Sequence, residues 1–180
     1  AMQLRLALMV YIEVAEMLSK TEESAWAKSI LAKLDRNIQE HAWDGEWFLR
    51  GYRVDGMKFG SKENKEGKIY LNPQAWAVMS GAADNDQAKL IMEKVYENLA
   101  TEYGVALCNP PYTYDVDFHI VRSALFNPSM KENGAIFTHT QGWAVIAETM
   151  LGNGNRAYQY WRAYMPAAYN TKAEVRQIEP

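Results

Sequence analysis

One helical hairpin is written three times along this chain, and that repetition limits its fold more than any other feature. QAWAVM at positions 74–79 returns as QGWAVI at 141–146, a shift of 67 residues from Gln74 to Gln141. Each copy runs into a small or polar break, residues 81–86 and 152–155, and then into a second helical pattern near Gln87 or Arg156. A weaker third copy starts at Gln3, breaks at 19–23 and continues through Trp26, Ile30, Leu34 and Ile38. The first helix of a unit is apolar nearly all round, as in LALMVYI at 6–12, so neighbours must cover most of its circumference. The second is amphipathic: its apolar residues recur at steps of four, with Lys28, Lys33, Asp35 and Arg36 between them. One inner and one outer helix per unit, repeated, predicts an all-α toroid or solenoid. Three units supply six helices, and a ring of twelve needs about twice this length.

The connections carry extra material. Residues 44–60 alternate aromatic and polar side chains between glycines, which predicts a small β-hairpin. Residues 107–133 contain Pro110, Pro111 and Pro128, too many breakers for one continuous helix. Long ordered loops of this kind often carry function, and this one leads straight into KENGAIFTHTQGW at 131–143.

There an extended segment meets a helix N-terminus, whose unpaired N–H groups and partial positive charge suit an anion such as phosphate. His139 stands where it can add a directional donor; the plainer alternative is that it caps the helix or satisfies a buried carbonyl. Lys131 and Glu132 form either an exposed ion pair of little energetic weight or a polar clamp for sugar hydroxyls. Arg122 and Phe126, four apart, would share a helical face and offer a charge and a ring to one ligand; otherwise the cation merely shields the aromatic. Glycoside chemistry uses carboxylates, and Asp115, Asp117, Glu132 and Glu148 are the candidates. Asp115 and Asp117 would share a strand face, although Asp often serves turns. Glu148 follows Gln141 by seven on one helix face and reads as a polar contact between hairpins. His41 and His119 have no partners at metal-ligand spacing and read as structural, so no metal or other cofactor is expected. No phosphate-cradling glycine loop, nucleophile elbow or zinc motif is present.

The formal net charge of −3 argues against a nucleic-acid partner. Cys108 is the single cysteine, so a disulfide framework is excluded and a reducing, cytoplasmic setting is expected. Arg5, Glu13 and Glu16 interrupt the apolar N-terminal run, so no membrane span is expected. Six Trp and eleven Tyr fill cores and also stack on sugar faces.

At KENGAIFTHTQGW the chain closely resembles the inverting disaccharide phosphorylases of glycoside hydrolase family ninety-four, the cellobiose, chitobiose and cellobionic acid phosphorylase group. HAWDGEWFLR (41–50), GSKENKEGKIYLNPQAW (60–76), LATEYG (99–104), AETMLGNGNRAYQY (147–160) and EVRQIEP (174–180) extend the resemblance over nearly all 180 residues. It implies an (α/α)6 barrel catalytic domain, of which residues 1–180 are about half, cut at both ends, with small β-hairpin or loop insertions. It implies that phosphate, a co-substrate, cleaves a β-linked disaccharide with inversion to an α-sugar 1-phosphate and a free sugar. It implies that His139 binds phosphate and that Lys131 and Glu132 line the acceptor subsite. The family's acid, an Asp, would precede this chain, so the 180 residues alone are expected to be inactive. The resemblance leaves room for a homodimer of the full-length enzyme. Arg122 and Phe126 stand where the cellobiose type has an acidic residue and a tyrosine. RSALFNP (122–128) is closer to the chitobiose type, and an arginine there also suits an acidic acceptor. Two other readings are a toroidal glycoside hydrolase that uses water and a non-catalytic carbohydrate-binding helical scaffold.

Overall fold

The computed structural model describes residues 1–113 and 122–168. Among the described residues, six α-helices form three hairpins: α1 (Met2–Met17) with α2 (Thr21–Ala42), α3 (Leu71–Met79) with α4 (Asn85–Leu99), and α5 (Thr138–Met150) with α6 (Gly154–Tyr164). The first helices of the hairpins lie side by side in the order α1, α3, α5, and each outer helix backs its own inner one. Helices α3 and α5 approach on small residues. Ala75, Ala77, Ala144 and Ala147 are all fully buried at the centre of the main core, with Ile91, Met92 and Val95 of α4 behind them.

Local chemistry explains the element starts. Asp84 accepts from the backbone N–H groups of Asp86 and Gln87, and the Gln87 side chain accepts from the Asp84 N–H. This reciprocal cap is worth about 1 kcal/mol and starts α4 two residues ahead of the expected Gln87. The four-step stripe of α2 is only partly inward: Ile38 is buried, but Trp26 is 58% exposed and Ile30 36%. The smaller Ser24 and Ala27 are buried instead. The helix that looks apolar all round, α1, keeps Leu4, Val10, Tyr11, Val14 and Met17 exposed. Its packing partners are α2 and α3, so the rest of its circumference stays uncovered.

A small hairpin follows each of the first two outer helices. After α2, Trp43 bridges Phe48, and the Leu49 N–H donates to the Ala42 carbonyl at 2.8 Å. After α4, strands β4 (Ala100–Thr101) and β5 (Gly104–Val105) pair, and the Ala106 N–H donates to the Leu99 carbonyl at 2.8 Å. The expected hairpin within 44–60 continues as β1 (Gly51–Tyr52) against β2 (Lys58–Phe59). β3 (Ile69–Tyr70), leading into α3, pairs antiparallel with β6 (Cys108–Asn109). No helix among the described residues is long and apolar enough to cross a membrane.

The repeated glutamines bind the units together. Gln74 is fully buried: its Oε1 accepts from the Phe48 N–H at 2.9 Å, and its Nε2 donates to the Phe48 carbonyl at 2.9 Å and the Tyr70 carbonyl at 3.0 Å. Gln141 repeats this with the Val105 N–H at 2.7 Å, the Val105 carbonyl at 2.9 Å and the Phe137 carbonyl at 3.1 Å. Each amide acts as one residue of an added strand, clamping an inner helix to the hairpin of the preceding unit.

Glu148, also fully buried, accepts from Asn153 Nδ2 at 2.8 Å, and its Oε1 lies 3.7 Å from Arg156 Nη1. Arg156 in turn donates to Glu93 of α4 at 2.8 Å. The expected polar contact between hairpins is therefore met through Arg156. Burial raises the Glu148 carboxyl above its ordinary 4.5, against the pull of Asn153 and Arg156. A raised folded value means that its stabilising contribution is complete below about pH 4.5 and is lost as pH rises through the folded value. Glu148→Gln should therefore lose less stability than the unaltered protein between pH 4.5 and pH 7. Denaturation midpoints at both pH values check this; parallel curves would show an unperturbed carboxyl.

Candidate functional site

The N-terminus of α5 opens on a cleft. Its N-cap residue, Phe137, is apolar and makes no side-chain cap, so the first-turn N–H groups have no side-chain acceptor. Thr140 turns its hydroxyl back to the Phe137 carbonyl at 2.9 Å. His139 is exposed, with its ring set between Phe137 and Trp143 at 5.6 and 5.5 Å. It faces a cleft of about 600 Å³ together with Glu132, Phe126, Tyr70, Arg50 and Asn72. That volume lies within the range of small-molecule sites, and Phe59, Leu107 and Phe137 also line it.

The loop before α5 is held in place by Asn133. This fully buried side chain accepts from the Tyr112 N–H at 2.7 Å and donates to the carbonyls of Tyr112 and Phe126, both at 2.8 Å. Gly134 adopts φ +91°, and a Cβ there would lie 3.2 Å from the Cys108 carbonyl and 3.3 Å from Pro111, so the loop packs tightly on the strand behind it.

The structure brings His139, Glu132 and Phe126 to one cleft. Lys131 differs: it does not line the cleft, and its Nζ sits 4.8 Å over the Phe126 ring. Attraction between the ammonium and the half-buried ring, about 0.5–1 kcal/mol, accounts for that position. Arg122 begins a 3-10 turn, Arg122–Leu125, just ahead of Phe126; its side chain lies outside the described residues, as do Asp115, Asp117 and His119. His41 is exposed in the last turn of α2 and lines a second cleft of about 330 Å³.

Arg50, Tyr70 and Asn72 are among the cleft residues that escaped the sequence reading. The repeat itself marks Asn72. The 67-residue shift that carries Gln74 onto Gln141 carries Asn72 onto His139, and both are the second residue of an inner helix. Gln3 holds the same place in α1 and lines the second cleft. Tyr70 donates to the Tyr112 hydroxyl at 2.8 Å, and burial pushes its phenol well above the ordinary range, so it stays neutral. Burial likewise pushes the Cys108 thiol up to about 12, which removes it as a nucleophile. Among the described residues, no group of three His, Cys, Asp or Glu could hold a metal.

The whole chain, residues 1–180, matches the model of the glycosyl hydrolase 94 superfamily catalytic domain. It is 34% identical over 176 residues to N,N'-diacetylchitobiose phosphorylase of Vibrio proteolyticus, covering 97% of this chain and 22% of that protein. It is 39% identical over 145 residues to the Vibrio furnissii protein of the same name, covering 79% of this chain and 18% of that one. It is 38% identical over 136 residues to cellobionic acid phosphorylase of Neurospora crassa, covering 73% and 17%. The chain thus spans about a fifth of the length of these curated relatives. On the full-length family match, and with these disaccharide phosphorylases as its relatives, the chain belongs to the glycosyl hydrolase 94 superfamily as part of its catalytic domain.

Proposed function

We propose that this chain is one wall of the (α/α)6 barrel of an inverting disaccharide phosphorylase. Phosphate, already an anionic nucleophile at neutral pH, needs no general base to attack the anomeric carbon. Its oxygen bonds to that carbon as the β-glycosidic bond breaks, and the leaving oxygen takes a proton from one carboxylic acid. The products are an α-sugar 1-phosphate and a free sugar. His139 and the uncapped start of α5 receive the phosphate. Glu132 and Phe126 border the leaving sugar, with Lys131 steadied on the Phe126 ring and Arg122 close by in the chain. In this reading the acid comes from outside the 180 residues, which are inactive by themselves.

The observation that carries the reading is His139: exposed, at a helix N-terminus free of any side-chain cap, facing a cleft shared with Glu132. The two chitobiose phosphorylases among the relatives make a β-linked disaccharide of N-acetylated sugars the first substrate to try. The test is to assay the full-length enzyme on a panel of β-linked disaccharides with and without phosphate. Sugar 1-phosphate of α configuration, formed only when phosphate is present, is the expected result. Equal cleavage without phosphate would make the enzyme a hydrolase.

A further inference from the structure

The cleft before His139 does not end at α3. Arg50 and Asn72 line it and also line the neighbouring cleft, whose apolar side includes Trp76 and Trp143 with ring centroids 5.6 Å apart. Both shared residues are chemically unspent. The Asn72 Oδ1 is buried without a hydrogen-bond partner among the described residues, an arrangement that normally implies a missing one. Among the described residues, no hydrogen bond or ion pair engages the Arg50 guanidinium, although its charge is felt at the Tyr70 hydroxyl.

Arg50 is nonetheless held firmly at its root. Its N–H donates to the Phe59 carbonyl at 3.0 Å, closing the β1–β2 hairpin. Gly60, at φ +76°, packs directly on the Arg50 backbone, where a Cβ would be 3.2 Å from the Arg50 Cα and closer still to its other atoms. Trp47 Nε1 donates to the Gly60 carbonyl at 3.0 Å and fixes that glycine in turn. The hairpin therefore places a cation at the junction of the two clefts with little backbone freedom.

We propose that Arg50 and Asn72 form a hydroxyl-binding pair for a sugar ring of the substrate, seated at the junction between the His139 cleft and the Trp76–Trp143 cleft. A guanidinium only donates, whereas an amide both donates and accepts. A sugar hydroxyl, which is donor and acceptor at once, can satisfy both together. Phosphate is mostly acceptor oxygens with few P–OH donors and suits Arg50 best, whereas every hydroxyl of a sugar ring brings a donor for the amide oxygen as well. The pair therefore favours a sugar ring over the phosphate that His139 receives. Asn72 holds in α3 the place that His139 holds in α5, so one helix-start geometry would present one ligand group in each unit. The inference rests on the phosphorylase reading for the identity of the ligand.

The test uses Arg50→Ala, Arg50→Lys and Asn72→Ala in the full-length enzyme. KM for disaccharide is measured at saturating phosphate, and KM for phosphate at saturating disaccharide. Each alanine variant should raise the disaccharide KM about tenfold or more, the scale of one hydrogen bond to a charged or buried group. Arg50→Lys should fall between, since it keeps the charge and loses the planar fork. The phosphate KM should move by less than about twofold on the same scale. Neither side chain is hydrogen-bonded among the described residues, so melting temperatures should stay within a few degrees of the parent. A rise confined to the phosphate KM, or no change in either, overturns the proposal. If the parent cleaves disaccharide without phosphate, the phosphorylase reading fails, and the disaccharide KM of the variants still decides this one.

Discussion

His139→Ala in the full-length enzyme is expected to raise the phosphate KM by about 10- to 100-fold while leaving the disaccharide KM nearly unchanged. The range follows from one hydrogen bond between an imidazole and a charged oxygen, about 1.5–3 kcal/mol, with 1.4 kcal/mol per factor of ten. The loss should be incomplete, because the partial positive charge at the start of α5 survives the substitution. The fold should survive too: the imidazole is exposed, and its recorded contacts are ring contacts with Phe137 and Trp143. Phosphate titrations of both enzymes at saturating disaccharide give the answer. An unchanged phosphate KM in the variant would remove His139 from the anion site and leave its ring as packing between two aromatics.

The hairpins were readable in the sequence because their signals are local. A helical period, a break and a second period fit within one stretch of chain, and the 67-residue shift places α3 and α5 in matching phase. His139 was readable for the same reason, being tied to the start of a helix. What local patterns do not carry is convergence. Arg50 sits at the foot of one hairpin and Asn72 at the start of a helix, and the packing of β1–β2 beside α3 brings them to one cleft. Lys131 shows the same limit: its place in a polar motif is legible, but that its ammonium rests on the Phe126 ring at the edge of the cleft is a matter of packing. Trp26 and Ile30 follow the correct helical period yet stay exposed, since periodicity fixes which face a side chain occupies and says nothing of what covers it.

Gln141→Leu is expected to destabilise the protein by about 3–5 kcal/mol, although leucine nearly matches the lost volume. The side chain is fully buried, and so is Val105, whose N–H and carbonyl it pairs. Leucine leaves both groups unpaired and out of reach of water, at about 1–3 kcal/mol each. The Phe137 carbonyl fares better, because it also accepts from Thr140 Oγ1. Relaxation of the hairpin is limited: Gly104 lies so close that a Cβ there would be 2.9 Å from Gln141 Oε1, which shows how tightly the amide is seated. Gln141→Glu separates hydrogen bonding from shape. One carboxyl oxygen can still accept from the Val105 N–H, but an ionised second oxygen faces two carbonyls. Only the protonated form can donate, so the folded value of this carboxyl rises above its usual one. The stability it restores is then complete below about pH 4.3 and is lost as pH rises through the folded value. Relative to the parent, which cancels the contribution of Glu148, the glutamate variant should recover as pH falls from 7 to 4, and the leucine variant should not. Denaturant midpoints across that range test both. A leucine penalty below about 1 kcal/mol would reduce the amide to space-filling, and a flat glutamate profile would mean that Val105 finds other partners. Because Gln141 lies two residues beyond His139, the same slackening of α5 on its hairpin should also loosen the phosphate site. The phosphate KM of a full-length Gln141→Leu enzyme should therefore rise even where the protein is still folded.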